Sequence, residues 1–123
     1  MPNIHLFSFN LFEVHTMVVW KEGPSCVIID PGFYTENERN EFYNFLNDKG
    51  LTPEAILLTH GHMDHTWGVK DVQDRYGVPV YMNSLDAELA RTNASYADIY
   101  GLKAPDFSFS YTGVEDGMTI RAA

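Results

Sequence analysis

The chain has 123 residues, 45% of them apolar and 20% charged, with eight Lys and Arg against seventeen Asp and Glu and a formal charge of −9 at pH 7. That composition suits one water-soluble domain large enough to bury a core, and the acidic balance argues against a nucleic-acid backbone as the main partner. Cys26 is the only cysteine, so an internal disulfide and an all-cysteine zinc site are both excluded. No run approaches the apolar length of a membrane span, and the Met1–His5 start lacks the features of a signal peptide. A single domain over residues 1–123 and a cytoplasmic location are the expectations.

In chain order, Ile4–Phe9 and Val14–Trp20 read as strands, being aromatic, apolar and β-branched. Lys21–Pro24 supplies turn chemistry and Cys26–Ile29 a short buried strand, so the opening elements suggest an antiparallel meander. Asp30-Pro31-Gly32 breaks that strand. Thr35 and Glu38 stand at the spacing of a capping box, and Phe42, Phe45 and Leu46 form one apolar stripe of a helix that Gly50 should stop. Ala55–Thr59 is another buried strand, and a second helical pattern runs to about Tyr76 before Gly77. Val78–Met82 resumes strand character, with Pro79 at an edge or a strand start. Strand, helix and strand in that order make a βαβ unit with parallel strands. Farther on, Ser84–Arg91 has helical character, Ser95 and Asp98 suit a short turn, and Phe107–Tyr111 and Met118–Ile120 have strand character. The fold class expected is α/β, a mixed β-sheet flanked by helices.

Between the predicted strand and the second helix lies His60-Gly61-His62-Met63-Asp64-His65, which holds three of the five histidines. Imidazole nitrogens and carboxylate oxygens are good ligands for zinc. The carboxyl end of a strand is also where open α/β sheets place their ligands. In an extended stretch residues two apart point the same way, so His60 and His62 can grip one ion. Asp64 continues the alternation, whereas His65 falls where the helix should begin and turns elsewhere. The natural division is one ion on His60 and His62 and a neighbouring ion on Asp64 and His65. The competing reading, a solvated loop with accidental metal affinity, is far weaker for a cluster this dense. His5 and His15 read as ordinary surface or core residues.

Thr59-His60-Gly61-His62-Met63-Asp64-His65-Thr66-Trp67-Gly68 resembles, without a gap, the His-x-His-x-Asp-His signature of the metallo-β-lactamase superfamily. Ile29-Asp30-Pro31-Gly32 resembles a second feature of that superfamily, an aspartate closing an early strand, in the form found in its glyoxalase II-like hydrolases. The resemblance runs from Ile4 onward. It implies an αββα sandwich of two βα halves, of which this chain supplies the first. It also implies a two-zinc site ligated by His60, His62, Asp64 and His65, with Asp30 behind the ligands steadying the histidine loop; the alternative for Asp30 is a turn-forming residue before Pro31. The implied activity is hydrolysis of an ester, thioester or amide of a small-molecule substrate by a metal-bound hydroxide, which Asp64, the catalytic residue, would orient. The alternative is a non-catalytic metal-binding or assembly module.

No histidine follows His65, although the superfamily's second half brings further histidines and a bridging aspartate. The chain therefore reads as the amino-terminal part of a longer protein and an incomplete domain. With two ligands per ion where catalytic zinc normally takes three, weak or partial metal occupancy and little or no activity are expected of it alone. A sheet face meant for a partner sheet would be left uncovered, and a homodimer through that face is the expected remedy.

Overall fold

A computed structural model describes residues 3–10, 13–59, 67–82 and 112–113. One six-stranded sheet runs in the order β1 (Asn3–Phe9), β2 (Val14–Trp20), β3 (Ser25–Ile29), β4 (Thr52–Leu57), β5 (Val80–Met82) and β6 (Thr112–Gly113). The first three strands pair antiparallel and β3 to β6 pair parallel, so the sheet is mixed. Helices α1 (Glu36–Lys49) and α2 (Val69–Tyr76) connect β3 to β4 and β4 to β5. The predicted meander and the parallel βαβ order are both present, and the fold is the expected α/β class. The further helical, turn and strand expectations at 84–91, 95–98, 107–111 and 118–120 lie outside the described residues.

Alternation along the strands gives the sheet two faces. On one, Phe7, Phe9, Val18, Cys26, Ile28, Ile56, Val80 and Met82 are buried, packed with Phe42 and Leu46 of α1 and Val69 and Val72 of α2. The aromatic share is high: Phe33 lies 5.1 Å from Phe42 and 5.7 Å from Tyr43, ring centre to ring centre. On the other face, register aligns Leu6, Met17, Ile29, Leu57 and Tyr81 in one apolar row. At its edge, Ile4 and Leu6 are 60% and 51% exposed.

The helix boundaries follow their local chemistry. Thr35 accepts the Glu38 amide while Glu38 accepts the Thr35 amide, the reciprocal capping box expected from the sequence. Gly50 closes α1 at φ +67° and Gly77 closes α2 at φ +64°, a left-handed conformation that glycine adopts without a Cβ clash. Strand β4 begins at Thr52, three residues before the apolar run that announces it, and takes in Pro53. Proline has no N–H to give a ladder, and the β3–β4 register shifts between Cys26 and Val27, opposite Pro53 and Ala55. Pro79 precedes β5, which is paired on both sides, so it marks a strand start rather than an edge.

Candidate metal centre

The parallel strands β3 and β4 end side by side, and two segments leave that end of the sheet. One is a sharp corner, Asp30–Phe33; the other begins at Thr59 and returns at Trp67. The four candidate ligands His60, His62, Asp64 and His65 lie in the second, outside the described residues, whereas Asp30 and both flanks of that segment are described. Among the described residues no group of three or more His, Cys, Asp or Glu could hold a metal ion.

Asp30 is 3% exposed and takes a left-handed φ of +52°, which Asp tolerates better than most side chains. This conformation turns the chain sharply at the end of β3. Its amide still donates to the Leu57 carbonyl at 3.0 Å, continuing the β3–β4 ladder. Its carboxylate accepts the Thr59 amide at 2.8 Å on Oδ1 and the Thr59 hydroxyl on Oδ2. A buried carboxylate is costly without such partners, and here they belong to the residue just before His60. Asp30 therefore both turns the chain at the end of β3 and holds Thr59.

The far flank meets the same corner. Gly68 donates its amide to the Pro31 carbonyl at 2.7 Å. A Cβ on Gly68 would lie 2.7 Å from Phe33 Cε1 and 2.8 Å from the Pro31 oxygen. With φ at −96° the backbone is unstrained, so glycine is required by close packing alone. Trp67 packs against Tyr34, next along from the corner, with ring centres 4.5 Å apart and the planes tilted by 53°. The two described flanks, Thr59 and Trp67–Gly68, thus both attach to Asp30–Tyr34.

Two side chains fix the corner from behind: Thr16, which does not stand out in the sequence, and Glu38, which stands out there only as a helix cap. Thr16, fully buried on β2, donates its hydroxyl to the Asp30 carbonyl at 2.6 Å and accepts the Gly32 amide at 3.0 Å. Glu38 accepts the Tyr34 amide at 2.8 Å. Helix α2, which starts at the returning flank, is tied to α1 through Asp71, whose Oδ2 accepts Arg39 Nε at 3.1 Å and the Tyr43 hydroxyl at 2.5 Å. Burial, reinforced by the bond to Asp71, pushes the Tyr43 phenol well above its ordinary pKa. The Arg75 guanidinium lies 4.0 Å over the same ring.

The remaining titratable candidates sit apart from this corner. His5 stacks on Phe45 at 4.1 Å, on the far strand of the sheet, and His15 is exposed. Cys26 is fully buried, and burial followed by the nearby Glu54 charge pushes its thiol up to about 12, which makes it unreactive at neutral pH.

A mixed sheet with crossover helices, a buried aspartate ending one strand and a His/Asp stretch in the sequence following the next define an α/β protein with a candidate metal segment at the carboxyl ends of its parallel strands. The metallo-beta-lactamase superfamily pattern matches residues 10–120, and the chain belongs to that superfamily. A hydroxyacylglutathione hydrolase of Pectobacterium atrosepticum is 42% identical over 72 residues, 58% of this chain and 26% of that protein. An uncharacterized protein of Mycobacterium leprae is 41% identical over 66 residues, 54% of this chain and 29% of that one. The crystal structure of TTHA1623 in a di-iron-bound form superposes with a TM-score of 0.81 at 28% identity, over 94% of this chain and 56% of that one. These matches to the curated relatives span under a third of their length. The described sheet and helices correspond to one half of the superfamily's sandwich. No helix among the described residues is long and apolar enough to cross a membrane.

Proposed function

We propose that residues 60–66 form a metal-binding loop and that the chain is the metal-motif half of a zinc-dependent hydrolase acting on an ester, thioester or amide. The observation that carries this reading is the Asp30 corner, which grips Thr59 on one side and Gly68 on the other. Ligand geometry must be held to a few tenths of an ångström, and fixed flanks on both sides of the candidate ligands favour that requirement. The donor set fits a borderline divalent ion, three imidazoles and one carboxylate in six residues. His60 and His62 would hold one zinc, and Asp64 and His65 its neighbour; the di-iron form of TTHA1623 makes iron the alternative metal. When bound, such ions supply Lewis-acid chemistry and bring the pKa of a coordinated water toward neutrality. Asp64 would orient the attacking water and accept its proton, and Asp30 would keep the loop's first residue in place. The thioester class is favoured because relatives at 35% and 42% identity are hydroxyacylglutathione hydrolases.

Calorimetric titration with zinc tests the loop. Binding at micromolar or weaker affinity that is lost in H60A/H62A is the expected result, since each ion finds two ligands here. Equal heats from both proteins overturn the metal loop, and submicromolar affinity in a monomer overturns the two-ligand account. The second reading is a non-catalytic metal-binding or assembly module, and the same two-ligand count favours it. Thioester hydrolysis by this chain and by a version extended at its carboxyl end separates the two. Turnover in the extended version alone supports the hydrolase, and turnover in neither supports the module. A small-molecule substrate, a cytoplasmic location and no nucleic-acid role complete the reading. Self-association through the sheet face that carries Ile4 and Leu6 is part of it as well, a second copy covering these two side chains on edge strand β1. Light scattering that gives a monomer contradicts that last element.

A further inference from the structure

Glu38 has more partners than a helix cap needs. In a capping box the N3 side chain returns to the N-cap amide, and Glu38 Oε1 does so with Thr35 at 3.2 Å. The same oxygen accepts the Tyr34 amide at 2.8 Å. The second oxygen, Oε2, accepts the Asn10 amide at 2.6 Å, from the turn between β1 and β2. Asn10 in turn donates its side-chain amide to the Gly32 carbonyl at 2.9 Å. That turn is an unfavourable conformation in itself, with Asn10 at φ +55° and Glu13 at φ +54°. One half-buried carboxylate therefore joins the first turn of α1, the β1–β2 turn and the chain leaving the Asp30 corner.

The corner is also where both flanks of residues 60–66 attach. Thr59 hangs on the Asp30 carboxylate and Gly68 on the Pro31 carbonyl, and the Phe33 ring closes over Gly68. We propose that Glu38 is a positioning residue for Thr59 and Gly68, the two flanks of the histidine segment, acting through the Asp30–Tyr34 corner that it holds from the helix side. In importance for metal binding this rests on the reading of residues 60–66 as a metal loop. The coupling of Glu38 to both flanks does not.

Two substitutions separate positioning from capping. T35A removes the other half of the capping box, the bond from the Glu38 amide to the Thr35 hydroxyl, and leaves the acceptor oxygens of Glu38 in place. E38A removes all three accepted amides. Amide hydrogen exchange on the metal-free chain is read at Thr59 and Gly68, relative to Ile28 and Ile56 in the core. Protection at the two flanks should fall about tenfold in E38A and change less than about twofold in T35A. Equal loss in both variants, or loss in neither, overturns the proposal. E38Q gives a milder test should E38A fold poorly. Its single carbonyl oxygen can serve Tyr34 and Thr35 but then leaves the Asn10 amide facing an NH2 group. Exchange at Asn10 should rise while Thr59 and Gly68 stay protected, and loss at all three sites contradicts the division of labour between the two oxygens. In a zinc titration E38A should bind about tenfold more weakly than T35A, at the lower end of what outer hydrogen-bond partners contribute. If the unsubstituted chain takes no zinc the metal reading fails, and the exchange pattern still decides the role of Glu38.

Discussion

Replacing Gly68 by alanine probes the corner where its geometry is tightest. The added Cβ would meet Phe33 Cε1 at 2.7 Å, Phe33 Cζ at 2.8 Å and the Pro31 oxygen at 2.8 Å. Non-bonded carbons rest at about 3.5 to 4.0 Å, so the overlap with the ring is close to an ångström. Neither neighbour has room to yield. Phe33 is 4% exposed and packed among Phe9, Phe42 and Tyr43, and the Pro31 oxygen is tied to the Gly68 amide itself. Overpacking of this kind costs about 1–3 kcal/mol. With a urea slope of about 1.5 kcal/mol/M, a cost of about 2 kcal/mol lowers the midpoint by about 1.3 M. Gly77→Ala is the comparison: nothing lies within 4 Å of its Cβ position, and its φ of +64° should cost about 1 kcal/mol by backbone strain alone. Phe33→Leu removes the ring atoms but not the Pro31 oxygen, so in a double-mutant cycle it should relieve only part of the Gly68→Ala penalty. A Gly68→Ala midpoint that matches the unsubstituted protein, or strict additivity with Phe33→Leu, would refute the close approach on which the loop's second anchor depends.

The other anchors give equally direct outcomes. Asp30→Ala strands the Thr59 amide and should cost about 2–3 kcal/mol in urea unfolding, while Asp30→Asn retains an acceptor for it and should cost less than half as much. Equal losses in the two variants would assign the effect to the backbone turn instead. Thr16→Val keeps the shape but orphans the buried Asp30 carbonyl and Gly32 amide, and a destabilisation of about 2 kcal/mol should be largely absent in Thr16→Ser. Cys26 gives the pH dependence. Its thiol titrates at about 12 in the fold against 9.0 ordinarily, so above pH 9 the unfolded chain releases its proton first. Stability should be unaffected by this group below pH 9 and should fall as pH rises toward 12. Cys26→Ala should flatten part of that slope, with Tyr43 and Tyr76, both raised by burial, supplying more of it. Thiol labelling that is fast in the folded chain at pH 8 would contradict the burial argument.

Much of this architecture is written locally. Thr35, Glu38, Gly50 and Gly77 mark helix ends because capping is settled by a few neighbouring residues, and the β-branched run at Val14–Trp20 gives its strand to the residue. The start of β4 was not legible, because Pro53 argues against a strand and only pairing with β3 overrides it. The site shows the same division. Asp30 draws attention through Asp-Pro-Gly, whereas Thr16 is one threonine among several in a strand pattern, and its task appears only when β2 lies beside the corner. Glu38 announces a helix cap, but Asn10 is twenty-eight residues away in sequence, and no local pattern connects the two. Gly68 enters the sequence reading only as the last residue of the matched motif; its requirement comes from the Phe33 ring, which belongs to another segment. Long-range contacts that hold a corner have no periodicity, and periodicity is what a sequence reveals.

The central claim is that the segment between Thr59 and Gly68 binds metal through its own side chains. Histidine side-chain NMR of the chain titrated with zinc tests this most directly, because His5 and His15 serve as controls within the same molecule. The imidazole signals of His60, His62 and His65 should shift or broaden together, while His5, stacked on Phe45, and His15, exposed on β2, should keep their positions. Equal responses from all five histidines, or responses confined to His5 and His15, would contradict the account.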